Sequence, residues 1–116
     1  MMNSMTSMLI PRTIVLNRGD IHMSKLKETI HMIVERFPEI ITLSTKRDVV
    51  DNKSDDYLLT IMRSNVSLSS EMVFANVDKS VAITMTLMIE KLYDLYMNGK
   101  DTTAMCNLIQ ERIRGE

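Results

Sequence analysis

The sequence predicts a two-layer α+β domain, in which three antiparallel strands form a meander and the helices gather on one face. The predicted order is α-β-β-β-α-α, preceded by an N-terminal arm. Segments near both ends of the chain carry apolar residues at helical spacing, whereas the region between them is rich in residues that favour strands. Consecutive strands usually pair with each other, which gives the meander order.

The predicted domain covers residues 23–116, because a chain of 116 residues is long enough for one hydrophobic core. Residues 1–22 form the predicted arm, in which methionines crowd the start and Pro11 interrupts the apolar segment. A purine-rich, ribosome-binding-like stretch can encode the residues before Met23. We therefore hypothesise that Met23 is an alternative start of translation, and the sequence leaves Met1 and Met23 open.

The first helix is predicted from Ser24 to Phe37, and Pro38 helps to end it. Its apolar residues recur every three or four positions, as expected for one buried stripe. The residues of this stripe are Leu26, Ile30, Ile33, Val34 and Phe37.

Three segments are predicted strands. Residues 40–45 alternate apolar and polar side chains, residues 57–63 are rich in strand formers, and residues 71–77 suit a strand with both faces covered. A solvated loop is predicted over residues 46–56 and a serine-rich turn over residues 64–70. The uncovered sheet face and its edge strand would invite association.

The longest helix is predicted between Asp78 at its N-cap and Asn98-Gly99 at its C-terminal end. About half of its circumference is apolar, which is typical of a helix packed on a core. The residues of this arc are Val81, Ala82, Met85, Met88, Ile89, Leu92, Tyr93, Leu95 and Tyr96.

Ile83, Leu87 and Met97 lie among polar residues on the opposite side of this helix, and Met32 lies off the stripe of the first helix. The chain contains 12 methionines, whose flexible side chains suit adaptable recognition surfaces. The main alternative is that these are scattered exposed apolar residues, which are common. We predict that Met32, Ile83, Leu87 and Met97 belong to an interaction surface.

Asp101 is predicted to cap a last helix, and Arg112 and Arg114 suit its C-terminal end. Cys106 lies on this helix, where a small buried thiol is expected rather than a nucleophile. The predicted apolar face consists of Met105, Leu108, Ile109 and Ile113.

Composition argues against several function classes. The net charge of −1 and the isoelectric point of about 6.1 give no basic surface for nucleic acid or an anionic membrane. No apolar run approaches the roughly 18 residues that span a bilayer. A single cysteine cannot form an internal disulfide, so nothing indicates a secreted framework. We expect a cytoplasmic protein that binds neither nucleic acid nor membrane.

Candidate chemical sites are weak. Glu28, His31 and Glu35 share one side of the first helix, in a spacing that distantly resembles carboxylate metal sites in helix bundles. Such a site needs further carboxylates from facing helices, so a solvated polar face is the better interpretation. No catalytic, nucleotide or calcium motif is present. We expect a non-enzymatic protein without metal or cofactor.

Three functions remain open. The first is a small interaction module that forms a homo-oligomer or binds another protein, as an accessory or inhibitor protein of a phage or mobile element would. The second is a protein that sequesters a small ligand or nucleotide between protomers, with contacts from Tyr57, Tyr93 and Tyr96. The third is a structural component of a larger assembly that uses residues 1–22 as an arm.

Overall fold

The computed structural model describes residues 18–115, with side chains from residue 25 onward. This part of the chain is helical and contains no strand, so the predicted α+β class with a three-stranded meander is wrong. The chain is instead a helical bundle. Its elements are α1 (Arg18–Arg36), α2 (Glu39–Thr42), a 3-10 helix (Arg47–Asn52), α3 (Asp55–Val73), α4 (Lys79–Met97) and α5 (Thr103–Arg114).

Four long helices surround the core. α1 packs against α3 and α5, and α4 packs against the same two helices from the other side, so α1 and α4 are diagonal neighbours. α3 and α4 run antiparallel, because Arg63 meets Glu90 while the later Glu71 shares a groove with the earlier Ile83. The fully buried side chains at the centre include Ile33, Leu58, Met62, Met85, Ile89, Leu92 and Ile109.

The first predicted helix is confirmed as α1, and each residue of its predicted apolar stripe is buried. α1 begins at Arg18, so the last part of the predicted arm is helical. Residues 1–17 lie outside the described residues, and the prediction of an arm there stays a prediction.

The first predicted strand, residues 40–45, is wrong. Pro38 ends α1 and also starts the short helix α2, whose Ile40 and Ile41 are both completely buried. These positions follow Phe37 at the i+3 and i+4 spacing of a helix and so continue the apolar stripe of α1 around the corner. The alternation that indicated a strand placed Ile41 and Leu43 inside, but it left the buried Ile40 unexplained.

The predicted loop over residues 46–56 contains a 3-10 helix that lies along α1. Arg47, Asp51 and Asp55 follow one another at a spacing of four residues, and Lys27, His31 and Glu35 of α1 do so in the opposite direction, so each side chain of one series meets one of the other. The contacts are Arg47 Nη2 with Glu35 Oε1 at 2.7 Å, His31 Nε2 with Asp51 Oδ1 at 3.6 Å, and Lys27 Nζ with Asp55 Oδ1 at 3.3 Å.

The two remaining predicted strands, residues 57–63 and 71–77, are also wrong, because α3 runs through the first of them and through the serine-rich turn into the second. Leu58, Leu59 and Met62 are fully buried, at the spacing of a helix rather than a strand. The serine-rich segment kinks α3 without ending it: Ser69 alone has a non-helical backbone inside the helix, with φ −142° and ψ 40°.

The predicted bounds of the helix that begins after Asp78 are confirmed in α4. Asp78 occupies the N-cap of α4 in an extended conformation, although its side chain makes no capping hydrogen bond. At the other end, Gly99 adopts φ 69° and its N–H donates to Tyr96 O (3.1 Å), while the N–H of Lys100 donates to Leu95 O (2.8 Å). This is the Schellman arrangement, which requires a residue that tolerates positive φ at position 99.

α5 forms where the last helix is predicted, but its N-cap is Thr102 rather than Asp101. Asp101 precedes the N-cap, and its Oδ1 still accepts a hydrogen bond from the N–H of Thr103 (3.0 Å). The buried face differs from the predicted one. Leu108 is exposed, whereas Gln110 is completely buried. The helical stripe that packs inward consists of Met105, Cys106, Ile109, Gln110 and Ile113, so Leu108 is the one predicted residue that it leaves out.

Candidate interaction surface

The outward side of α4 exposes two large aliphatic side chains. Ile83 is 52% exposed and Leu87 is 60% exposed, and they lie one helical turn apart. The inward side of the same helix buries Met85, Ile89 and Leu92 completely. Because the inward side already supplies the packing that holds α4 in the bundle, Ile83 and Leu87 are not needed for the core. We call this pair, with its immediate surroundings, the α4 outward face.

A groove borders the α4 outward face on the side of α3. It has a volume of about 660 Å³, and its walls include Glu71 and Phe74 from the end of α3 and Ala82, Ile83 and Leu87 from α4. Ala75 and Val77 of the α3–α4 turn also line this groove, and Phe74 at the start of the turn is buried against Phe37 with 5.0 Å between the ring centroids. A side chain from another protein can therefore enter beside Ile83 and Leu87.

A second groove borders the α4 outward face on the side of α5. Its volume is about 510 Å³, and Thr84, Met88, Leu108 and Arg112 contribute to its walls. Leu108 is half exposed and thus adds a third aliphatic side chain to this side of the bundle. The accessible apolar surface extends from α3 across α4 to α5.

Charged side chains surround the apolar pair. Lys79 lines the groove on the α3 side, and Glu90 on the same side lies 3.7 Å from Arg63 Nη1. Arg63 also lies over the Tyr93 ring, with 6.0 Å between its Cζ and the ring centroid. Lys91 and Asp94 are exposed. The face thus has an apolar centre and a charged edge, as protein interfaces do.

The four predicted interaction residues do not form one surface. Met97 is 50% exposed, but it follows Leu87 by ten residues, which separates them by about 15 Å along the helix axis. Met32 is half-buried on α1, in a shallow groove with Glu28 and His31. Since α1 and α4 are diagonal in the bundle, Met32 belongs to a different side of the molecule. The structure brings together only Ile83 and Leu87.

The three predicted ligand contacts lie near one end of α3 and α4. Tyr57 is exposed at the start of α3, with Lys53 Nζ 4.9 Å from its ring centroid, whereas Tyr93 and Tyr96 are half-buried against the core. Burial raises the pKa of Tyr96, and the carboxylates of Asp56 and Asp55 raise it further. Neither groove beside α4 is lined by these three tyrosines. A ligand site at the tyrosines therefore stays a prediction.

The polar stripe of α1 is used for packing. Glu35 contacts the cation Arg47 and His31 contacts the carboxylate of Asp51, and both partners lie on the 3-10 helix rather than on a facing long helix. Among the described residues, no group of His, Cys, Asp and Glu is arranged to hold a metal ion. Polar residues recur every four positions both in α1 and in residues 47–55, and this shared spacing is a sequence signal that the two segments pack together. The prediction of a solvated loop does not use this signal.

The sequence analysis does not predict the buried polar contact between α1 and α5. Gln110 Nε2 donates to Thr29 Oγ1 (2.9 Å), and both residues are completely buried. Thr29 Oγ1 in turn donates to Lys25 O (2.8 Å), and Arg114 Nη2 donates to Gln110 Oε1 (2.9 Å). Every polar group of this contact has a partner, which offsets the cost of burying it.

Cys106 lies beside this polar contact and is completely buried. Burial raises the pKa of its thiol, an effect that hydrogen bonds with Thr29 and Thr102 partly oppose. The thiol is therefore protonated and shielded at neutral pH, as a core residue should be.

Comparison with protein-family models, with curated proteins and with solved structures finds no match to this chain. No helix within residues 18–115 combines the length and the apolar character needed to cross a membrane. Aliphatic side chains in open grooves can bind by burial, and they supply no group for covalent chemistry.

Proposed function

We propose that this chain is a small non-enzymatic protein-interaction module that binds a protein surface through the α4 outward face. The observation that carries the proposal is the contrast within α4. Ile83 and Leu87 stay more than half exposed on a helix whose other side is completely buried, and open grooves lie on both sides of them. The single free cysteine, with no disulfide to require an oxidising compartment, supports the cytoplasm as the setting of this binding.

The energetics favour a role for this pair in binding. Full burial of a Leu or Ile side chain contributes about 1.5–3 kcal/mol, so burial of the half that remains exposed on both residues would contribute about 2 kcal/mol in total. The grooves increase this contribution, because they let partner side chains contact Met88 and Leu108 as well. A few central aliphatic contacts of this kind commonly dominate the affinity of an interface.

The test replaces each side chain of the pair by a charged one. We expect Ile83→Glu and Leu87→Lys to lose association with the partner protein or with a second copy. Both variants should keep the helix content and unfolding midpoint of the parent chain, since exposed substitutions usually change stability by less than about 0.5 kcal/mol. Sedimentation and thermal unfolding on the same samples measure the two effects.

Leu68→Lys is the matched control. Leu68 is 80% exposed on α3 and belongs to neither groove, so the same change in polarity there should leave association intact. If Ile83→Glu and Leu87→Lys unfold the chain, these residues serve the core. If both variants stay folded and associate like the parent, the proposed surface is wrong.

A further inference from the structure

We infer that the α4 outward face binds a second copy of this chain, with the two α4 helices packed antiparallel about a two-fold axis. The inference rests on the proposed function and identifies the partner for the same surface. Three features of the surface support it: its apolar centre, the arrangement of charges at its edges, and the position of Asp94.

The charges divide between the two edges of the face. At 100° per residue, Lys79 and Glu90 lie on one side of the line through Ile83 and Leu87, and Lys91 lies on the other. The contacts agree: Lys79 shares a groove with the end of α3, and Glu90 contacts Arg63 of α3. One edge thus carries a cation before the apolar pair and an anion after it.

In this dimer the two-fold axis is perpendicular to the plane that contains both α4 helices and passes through the level of residue 85. The two helices then run in opposite directions, and each edge of one helix lies beside the same edge of the other. Ile83 of each copy then meets Leu87 of the other. Lys79 lies six residues before the axis and Glu90 five residues after it, so each Lys79 meets the Glu90 of the second copy. The same opposite-charge contact forms twice. Glu90 can serve Arg63 and Lys79 together, because a carboxylate has two acceptor oxygens.

Asp94 distinguishes this arrangement from a parallel one. It lies on the line of Ile83 and Leu87 and is exposed, so parallel α4 helices would bring the two Asp94 carboxylates against each other. The antiparallel arrangement instead brings Asp94 towards the N-terminal end of the other α4. The two Asp94 carboxylates then lie 18 positions apart along the paired helices, about 27 Å, which is well beyond the screening length in physiological salt.

The contact area sets the expected strength. One helix face with the walls of two shallow grooves falls at the small end of specific interfaces, so we expect a dissociation constant on the order of 10 µM. Sedimentation equilibrium of the full chain, from about 1 µM to about 500 µM, covers this value and should show a reversible dimer.

The experiment exchanges the paired charges. K79E and E90K each place like charges at both contacts, and each should raise the dimer dissociation constant about tenfold or more. An equimolar mixture of the two variants restores opposite charges at both contacts and should form a heterodimer with about the affinity of the parent. Should E90K fail to fold because its new lysine faces Arg63, E90Q replaces it and should weaken the dimer by removing one charge.

K91E is the control, because Lys91 lies on the other edge and meets Ser80 of the second copy in the antiparallel arrangement. K91E should therefore leave the dissociation constant unchanged, whereas parallel helices would place its new carboxylate against Glu90. Loss of the dimer in K91E with no effect of K79E would overturn the antiparallel arrangement.

Other outcomes separate this inference from the proposed function. A parent chain that stays monomeric at about 500 µM rejects self-association. The proposed function would then still hold if Ile83→Glu lost a protein partner that Leu68→Lys kept. A dimer that Leu68→Lys disrupts, and that Ile83→Glu and Leu87→Lys leave intact, rejects this inference. A protein partner that Ile83→Glu and Leu87→Lys keep, and that Leu68→Lys loses, rejects the proposed function.

Discussion

The α4 outward face and the contact between α1 and α5 are opposite exceptions to the rule that apolar residues are buried and polar residues are exposed. Gln110 and Thr29 are polar and completely buried, but hydrogen bonds within the chain satisfy them. Ile83 and Leu87 are apolar and exposed, and the described chain supplies no cover for them. Buried polar groups that find hydrogen bonds within the chain stabilise the fold, whereas exposed apolar side chains that the chain does not cover indicate a binding partner.

The largest expected effect comes from the buried side of α4. Ile89→Ala removes a completely buried side chain and should lower the free energy of unfolding by about 2–5 kcal/mol, through lost burial and the cavity left behind. Ile83→Ala makes the same chemical change on the exposed side and should cost less than about 0.5 kcal/mol. Urea denaturation of both variants measures the difference, and equal losses would show that the two sides of α4 are not distinct.

Gln110→Leu tests the polar exception. Leucine fills much of the volume of the glutamine but leaves Arg114 and the Thr29 hydroxyl without this partner, so the free energy of unfolding should fall by about 1–2 kcal/mol. The exposed Asn107→Leu is the control and should change it little. An increase in stability with Gln110→Leu would mean that the buried polar contact costs more than it contributes.

The thiol of Cys106, which is buried beside Gln110, should make the stability of the fold depend on pH. The native fold raises the pKa of its thiol, so folding favours the protonated form. This contribution to stability is complete below the unfolded pKa of about 9.0 and is lost as pH rises through that value towards the higher folded pKa. Stability should therefore fall above about pH 9, and less so in Cys106→Ala. An unchanged slope in Cys106→Ala would contradict the buried placement of the thiol.

The exposed ion pair of Arg47 with Glu35 should have the smallest effect. Both side chains are largely in solvent, and exposed pairs contribute about 0.2–1 kcal/mol. Glu35→Gln should lower the free energy of unfolding within this range at low salt, and the loss should shrink in high salt. A loss larger than that of Gln110→Leu would mean that the surface charges of α1 matter more than its buried polar contact.

The parts of the fold that the sequence predicts correctly are those with local signals. Asp78, Gly99 and the stripe of α4 lie within one segment, so its bounds follow from capping and periodicity alone. The composition of residues 57–63 predicts a strand, whereas the helical spacing of Leu58, Leu59 and Met62 is the signal that agrees with the structure. Its helix is stabilised by the packing of these residues in the core, which composition does not report.

The candidate surface also has features that follow from local sequence and features that depend on how the helices pack. The exposure of Ile83 and Leu87 follows from their positions around α4, and the structure agrees with it. The grouping of Met32 with them required knowledge of which helices are neighbours, and α1 lies diagonally across the bundle from α4. Likewise, the burial of Gln110 depends on Thr29, which precedes it by 81 residues.

The most direct test of the α4 outward face is methyl NMR of the full chain during dilution from about 500 µM. The methyl signals of Ile83 and Leu87 should shift as the complex dissociates, while those of Leu68, exposed elsewhere on the bundle, stay constant. Constant signals from Ile83 and Leu87, during a dissociation that moves the signals of Leu68, would contradict the proposal that the α4 outward face is the binding surface.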